Sequence, residues 1–376
     1  MPANYPIPSW DYRLSALQSQ IRVIMNLKIL KEITSNFQKE IKAGLNKKPS
    51  SLPFIVHRLS PTPLVEDGEL FQVLKIGGSI SQNSLVYQDG KKTIIESLEE
   101  EHLPIFSTGK AFLAFIKAHL RKNIRVLALN FAYPLKPILN DNRLGGILLF
   151  GSKEHAFSGL VGKQVEVEIE NYILNKFGKK IIVSLANDTI CLTLSGLVKH
   201  QADNIAGGIV GTGMNFAFFL DKQKMVNLES ANFDKFSQSP EGLTIDSLSI
   251  QPKDALFEKE VSGAYLYQHY NLATEDKLKL SSTHELDKVA RGQKEGNQIL
   301  ARNLFKKSAQ LISCQIAGIA NFKKREMVFI MEGSLFWRGF NYKKTVEKTV
   351  KKLTKFRIKF AEIKACGILG AAKLVV

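Results

Sequence analysis

The chain has 376 residues, 44% of them hydrophobic, three cysteines and a formal net charge of +17. That length exceeds what one hydrophobic core usually fills, so two domains are expected, and the apolar fraction is that of a folded globular protein rather than a disordered one. Cys191, Cys314 and Cys366 are scattered and odd in number, which argues against a disulfide framework or a cysteine-rich zinc site and fits a reducing cytoplasm.

Leu14, Leu17, Ile21, Ile24, Leu27, Leu30, Ile33, Phe37, Ile41 and Leu45 recur every three or four residues, the spacing of one long amphipathic helix, broken at most once and ending near Gly44. Lys47 to Ser51 reads as a linker. Phe71 to Ile76 is a strand running into Gly77-Gly78-Ser79, followed by short strands at Ser84 to Val86 and Lys92 to Ile95 around an Asp89-Gly90 hairpin turn. A helix is expected over Thr108 to Lys122, a strand over Ile124 to Phe131, a helix over Glu166 to Phe177 and a strand over Lys180 to Leu185. Strands at Asn204 to Val210 and Asn215 to Leu220 precede helices at Leu256 to His269 and Asn297 to Ala320. A strand at Met327 to Met331, a helix at Tyr342 to Leu353 and a strand at Arg357 to Ile363 complete the pattern. Strands alternating with helices imply an α/β protein with mixed sheets.

No apolar run approaches the roughly 20 residues that cross a bilayer, and the first residues lack the basic-then-apolar pattern of a signal peptide. The densest basic run, Lys343 to Lys359, carries Val346, Val350 and Leu353 at helical spacing, so its lysines read as the wet face of an amphipathic helix. Aromatic residues are not interleaved with them as a single-strand-binding groove requires. Neither a nucleic acid nor a membrane is expected as a partner, and a cytoplasmic location is.

Two transitions carry chemistry. The run Lys180 to Val183 leads into Ser184-Leu185-Ala186-Asn187-Asp188-Thr189, which sets a carboxylate just past a buried strand. About twenty residues on, Ile209-Val210 leads into Gly211-Thr212-Gly213-Met214-Asn215. A strand-end carboxylate can be held in one pose to take a proton, and a strand ending in glycines presents backbone N–H groups to phosphate. The pair suggests phosphoryl transfer to a hydroxyl. Each segment alone also reads as a plain turn. Glycine turns near 76 and near 210, one from each half, suggest a nucleotide clamped between two domains.

Motifs in order along most of the chain resemble those of the hexokinase family, within the actin-like ATPase (ribonuclease H-like) fold. Phe37 to Leu45 resembles the family's helix ending Gly-Leu. Leu74 to Ser79 resembles the first phosphate loop, and Phe131 to Pro134 resembles F-S-F-P. Ser152-Lys153 with Gly159, Gly162 and Val165 resembles a sugar-site segment. Asn187-Asp188-Thr189 resembles the catalytic N-D-T, and Gly211 to Asn215 the second phosphate loop. Asn227-Leu228-Glu229 resembles N-x-E, and Phe257-Glu258-Lys259 with Ser262-Gly263 resembles F-E-K-x-I-S-G. Glu332-Gly333-Ser334 resembles the adenosine-site D-G-S, and Gly367 with Gly370-Ala371-Ala372 the terminal G-x-G-A-A.

The resemblance implies a two-domain fold with an interdomain cleft, divided here at 1–190 and 191–376. It implies ATP-dependent phosphorylation of a glucose-like hexose at its primary hydroxyl, with Asp188 as general base and Lys153 orienting the sugar and neutralising charge. Ser152, Lys153, Asn187, Asn215, Glu229 and Glu258 would hold the sugar. Gly77, Gly78, Ser79, Gly211, Thr212 and Gly213 would hold phosphates, and Gly333 and Ser334 would face the adenosine. ATP and Mg²⁺ are the implied cofactors.

The departures from the family pattern matter as much. The acid that opens the first loop and serves the metal is Lys75, the arginine after that loop is Gln82, and the F-S-F-P serine is Ala132. Gln164 and Glu332 each stand where the family has aspartate. Two readings follow: an active sugar kinase with altered metal or donor use, or a non-catalytic hexokinase-like protein that binds sugar or nucleotide.

Overall fold

A computed structural model describes residues 25–376 except 141, 153 and 275–278. In chain order, helix α1 (Leu27–Leu45) and strand β1 (Ile55–Arg58) precede a sheet-forming stretch of β2 (Phe71–Ile76), β3 (Ile80–Asp89), β4 (Lys92–His102), α2 (Gly109–His119), β5 (Val126–Phe131), the hairpin β6 (Leu135–Asn140) and β7 (Arg143–Leu148), α3 (Val165–Phe177), β8 (Ile182–Ala186) and α4 (Asp188–Ser195). There follow β9 (Ile205–Val210), β10 (Met214–Phe219), β11 (Lys224–Asn227), α5 (Pro240–Leu248), α6 (Leu256–Val261), α7 (Leu266–Ala273), α8 (Thr283–Arg291) and α9 (Gln298–Lys323). Strand β12 (Met327–Glu332), α10 (Ser334–Arg338), α11 (Tyr342–Leu353), β13 (Ile358–Ala361) and α12 (Cys366–Ala372) end the chain.

The two large sheets share one plan. The first has strand order β4-β3-β2-β5-β8 and the second β11-β10-β9-β12-β13, with β1 added beyond β11. In each, three antiparallel strands are followed by two parallel ones. The equivalence places the glycines: Gly77-Gly78 follows β2, the central strand of the shared plan in one sheet, and Gly211-Thr212-Gly213 follows β9, its counterpart in the other.

Near-continuous apolar runs mark the central strands because both faces are covered; β5 is buried at every position. Leu74, Phe112, Leu127, Ile169 and Val183 pack one core around the first sheet. Phe37, Ile41, Phe216, Leu304, Ile312 and Val346 pack another against the second. A third core joins the sheets: Phe71, Val73 and Val126 from one meet Ile205, Ala217 and Phe219 from the other, with Ile190, Leu194, Ile368 and Ala371 of α4 and α12 between them. Helix α12 lies so close to α4 that a Cβ on Gly370 would collide with the Cys191 carbonyl.

The chain crosses between sheets more than once. Helix α1 packs on α9, and β1 pairs with β11, so residues 27–58 share a core with the later half; the boundary at 190 remains a proposal for the second crossing. The early residues of the expected long helix, Leu14 to Ile24, lie outside the described residues. Asn26 caps the helix at its start by accepting from the Ile29 N–H at 2.9 Å.

Several elements differ from expectation. The helix expected over Leu256 to His269 is two helices, because Gly263 is drawn out of helical geometry to donate its N–H to the Gly211 carbonyl at 2.8 Å. Strands β3 and β4 run well past the short segments expected, since Glu99, Glu100 and Glu101 belong to an exposed edge strand that hydropathy does not mark. Strands β1 and β11 and helices α5 and α8 carry no clear signal in the sequence, being short or lacking a long apolar period. Among the described residues no helix is long and apolar enough to cross a membrane.

Candidate active site between the two sheets

Asn187 caps α4, its Oδ1 accepting from the Thr189 N–H at 2.9 Å. Asp188 is the first helical residue, half-buried where the helix dipole favours a negative charge. Its Oδ1 accepts from the Thr189 N–H at 2.7 Å and from the Thr189 hydroxyl at 3.3 Å. Among the described residues its Oδ2 makes no hydrogen bond. One carboxyl oxygen is therefore fixed and the other is open to take a proton.

The second sheet brings a polar cradle against this helix start. The Asn215 amide donates to the Thr189 hydroxyl at 3.2 Å, to Asn227 Oδ1 at 2.8 Å and to Glu229 Oε1 at 3.4 Å. Asn227 in turn donates to Glu229 Oε1 at 2.6 Å and to Asn187 Oδ1 at 3.5 Å. Glu229 follows β11 in the left-handed region, at φ 48°, which aims its carboxyl back at the cluster. Burial, and then the negative charges of Asp188 and Glu258, push this carboxyl up to about 7, against the stabilising amides of Asn227 and Asn215. Glu258, on α6, accepts from the Met214 N–H at 2.9 Å. It lies so near the second glycine turn that a Cβ on Gly213 would sit 2.8 Å from its Oε2.

Asn187, Asp188, Asn215, Glu229 and Glu258 are thus brought together. Ser152 forms a short antiparallel bridge with His155 and lines, together with Glu258, Gln251 and Gln268, a cleft of about 810 Å³. Lys153 lies outside the described residues. Asn227, which the sequence marks only as part of the N-x-E motif, holds Glu229, Asn215 and Asn187 in one network. The alternation along β11 and its N-x-E pattern was the available signal.

The glycine turns are each braced by neighbouring groups. Tyr133 donates its hydroxyl to the Gly77 carbonyl at 2.7 Å. His155 accepts the Phe106 N–H at Nδ1, at 3.0 Å, so its Nε2 carries the proton and lies 3.2 Å from the Gly78 carbonyl. With those carbonyls held back, the Gly78 and Ser79 amides have no acceptor among the described residues. The same is true of Thr212 and Gly213, whose turn is braced by Gly263 and Ala264 donating to the Gly211 and Thr212 carbonyls. Gly333, at φ 118°, lies against Val210 and Gly211 so closely that a Cβ there would strike the Val210 carbonyl. Ser334 opens the short helix α10 beside it.

Lys75, one residue before the end of β2, reaches across to the last residue of β12: its Nζ is 3.1 Å from Glu332 Oε1. Among the described residues no group of three or more His, Cys, Asp or Glu could hold a metal ion. With an ammonium at the strand end, the donor set does not fit a divalent cation held there by the protein.

No protein-family model matches the chain. Hexokinase-1 of Spinacia oleracea is 26% identical over 274 residues, covering 63% of this chain and 54% of that protein. The chain spans about half the length of the curated relatives it matches. A solved hexokinase of Schistosoma mansoni complexed with glucose superposes with a TM-score of 0.78 at 19% identity, covering 98% of this chain and 99% of that one. A ROK family glucokinase of Streptomyces griseus, solved with glucose and AMPPNP, gives a TM-score of 0.52 at 15% identity, covering 81% of this chain and 99% of that one.

Two sheets of one plan, and the superposition over nearly the whole chain, give this protein the two-domain α/β fold of the solved hexokinases. In sequence, the chain is similar to hexokinases of Spinacia oleracea and Oryza sativa.

Proposed function

We propose that this protein transfers the terminal phosphoryl group of ATP to the primary hydroxyl of a hexose. The observation that carries the reading is the setting of Asp188. It has one oxygen fixed by Thr189 and one open, at the edge of a cradle made by Asn187, Asn215, Asn227, Glu229 and Glu258.

A sugar ring presents several O–H donors, and three carboxylates with three amides supply matching acceptors and donors. A buried polar site of this kind rejects analogues that lack a hydroxyl. In the transfer step the hydroxyl proton passes to Asp188, the sugar oxygen bonds to the terminal phosphorus, and the bond from that phosphorus to the bridging oxygen breaks, releasing ADP. The open amides of Gly78, Ser79, Thr212 and Gly213 would receive phosphate oxygens, and Gly333 and Ser334 would face the adenosine. The resemblance carries ATP; the S. griseus structure, described with AMPPNP, supports a nucleotide donor.

ADP release measured by a coupled assay over a panel of hexoses tests this. Sugar-dependent release that falls by about 10²–10⁴-fold in Asp188→Ala is expected, the usual contribution of a general base. A second reading, a non-catalytic sugar or nucleotide binder, rests on the Lys75–Glu332 pair, which stands beside the turns proposed to hold phosphate. It predicts no turnover with any hexose, together with a sugar-dependent rise in melting temperature.

A further inference from the structure

The ion pair between Lys75 and Glu332 joins residues 257 positions apart, one from each sheet. Glu332 directly precedes Gly333, and Lys75 lies two residues before Gly77, so the pair sits among the glycine turns. The stem of Lys75 is confined: a Cβ on Gly367 would be 2.6 Å from its Cδ and 3.0 Å from Asn130 Nδ2. The ammonium end keeps more freedom, since the two side chains are 22% and 38% exposed. Burial disfavours the ammonium charge, but Glu332, the Cys366 sulfur and Asp188 more than offset it, so the lysine is held more firmly protonated than usual.

An ion pair this exposed contributes little to stability, so its carboxylate can be exchanged for another anion. The surroundings suit one. Four backbone N–H groups, those of Gly78, Ser79, Thr212 and Gly213, have no acceptor among the described residues, whereas the nearby side chains Asp188, Glu229 and Glu258 are acids that repel a polyanion. A phosphate entering here needs positive charge. An acid at position 75 would require a metal ion between itself and the phosphate, while a lysine there repels that ion and binds phosphate directly as a point charge. The two arrangements exclude one another.

We propose that Lys75 is the resident cation of the donor site: its ammonium leaves Glu332 for the terminal phosphate oxygens of a nucleoside triphosphate, which therefore binds without a divalent metal. This rests on the reading above that the glycine turns grip a triphosphate. Glu332 acts as the counter-ion that keeps Lys75 in place while the site is empty of nucleotide, and as the competitor that nucleotide displaces.

The test is calorimetric titration of the full chain with AMPPNP, once in EDTA and once in excess Mg²⁺. The wild-type protein binds AMPPNP in EDTA. Lys75→Met weakens that binding about 10–100-fold, the worth of one charge-assisted hydrogen bond. Lys75→Asp binds only when Mg²⁺ is present, and Glu332→Gln tightens binding in EDTA because the competing carboxylate is gone. Binding by the wild type in Mg²⁺ only, or equal binding by Lys75→Met in EDTA, overturns the role of Lys75 while leaving the donor site standing. Absence of binding under both conditions overturns the donor site itself. Should the Lys75 variants fail to fold, Glu332→Gln decides alone: tighter binding in EDTA upholds the proposal, and unchanged or weaker binding rejects it.

Discussion

Replacing Glu229 by glutamine removes one buried charge while keeping an oxygen that can accept from Asn227 and Asn215. In the folded protein this carboxyl is pushed up from 4.5 to about 7 by burial, then by Asp188 and Glu258. The unfolded chain titrates near the ordinary value. Below about pH 4.5 the group is protonated in both states and its full contribution is present. Between there and about pH 7 the unfolded state ionises first, so stability declines as pH rises, and the loss is complete above the folded value. A shift of this size corresponds to about 3 kcal/mol, trimmed to about 2–3 because one edge of the residue still meets solvent. Relative to wild type, Glu229→Gln therefore gains about 2–3 kcal/mol between pH 4 and pH 8. Urea midpoints of both proteins, taken across that range, measure the difference. Sugar binding adds a second readout. Hydroxyls donating to Glu229 favour its ionised form, so wild-type affinity rises as pH rises toward 7, and the glutamine variant loses that dependence along with part of its affinity. A wild-type-minus-variant difference that stays flat from pH 4 to pH 8 would refute the enclosure of this carboxyl by like charges.

Other expectations concern the frame around the site. Lys307 pairs with the buried Glu260, which also accepts from the Ser239 hydroxyl at 2.8 Å; Lys307→Met strands that acid and should cost about 3–5 kcal/mol by denaturant titration. Gly370→Ala drives a methyl group into the Cys191 carbonyl and should lower stability by about 1–3 kcal/mol. Because α12 also confines Lys75, weaker AMPPNP binding should accompany that loss, and a fully stable variant would show that the helices are not in contact there. Gly333→Ala meets both a positive φ and the Val210 carbonyl. It should weaken AMPPNP binding at least tenfold by calorimetry while sugar-dependent stabilisation persists; equal nucleotide affinity would remove Gly333 from the donor site.

The local structure around the proposed sugar site is legible in the sequence because its pieces are short. Asn187, Asp188 and Thr189 form a capped helix start within three residues, and the hydrogen bonds that define it span one or two positions. Gly211 to Asn215 likewise forms a turn and the first residues of the next strand. Asn227 is not legible in this way, because its importance is a sum of contacts to Asn187, Asn215 and Glu229, up to 40 positions away. The departure at Lys75 was visible as a changed charge, but its partner was not. In sequence Glu332 stands only as a departure from the aspartate of an adenosine loop, and the tertiary structure makes it the counter-ion of that lysine.

By itself, then, the order of residues determined where strands give way to glycine turns, which carboxylate follows a buried strand, and that helices alternate with mixed sheets. Those features depend on neighbours in the chain, through capping, turn geometry and hydrophobic period. The tertiary structure alone decided that α1 and β1 join the second sheet, that the helix expected over Leu256 to His269 breaks to brace Gly211, and that Glu229 shares its pocket with two other acids. These outcomes depend on surfaces that find each other across the fold, and burial and charge act on whatever lies nearby in space, however far apart the residues stand along the chain.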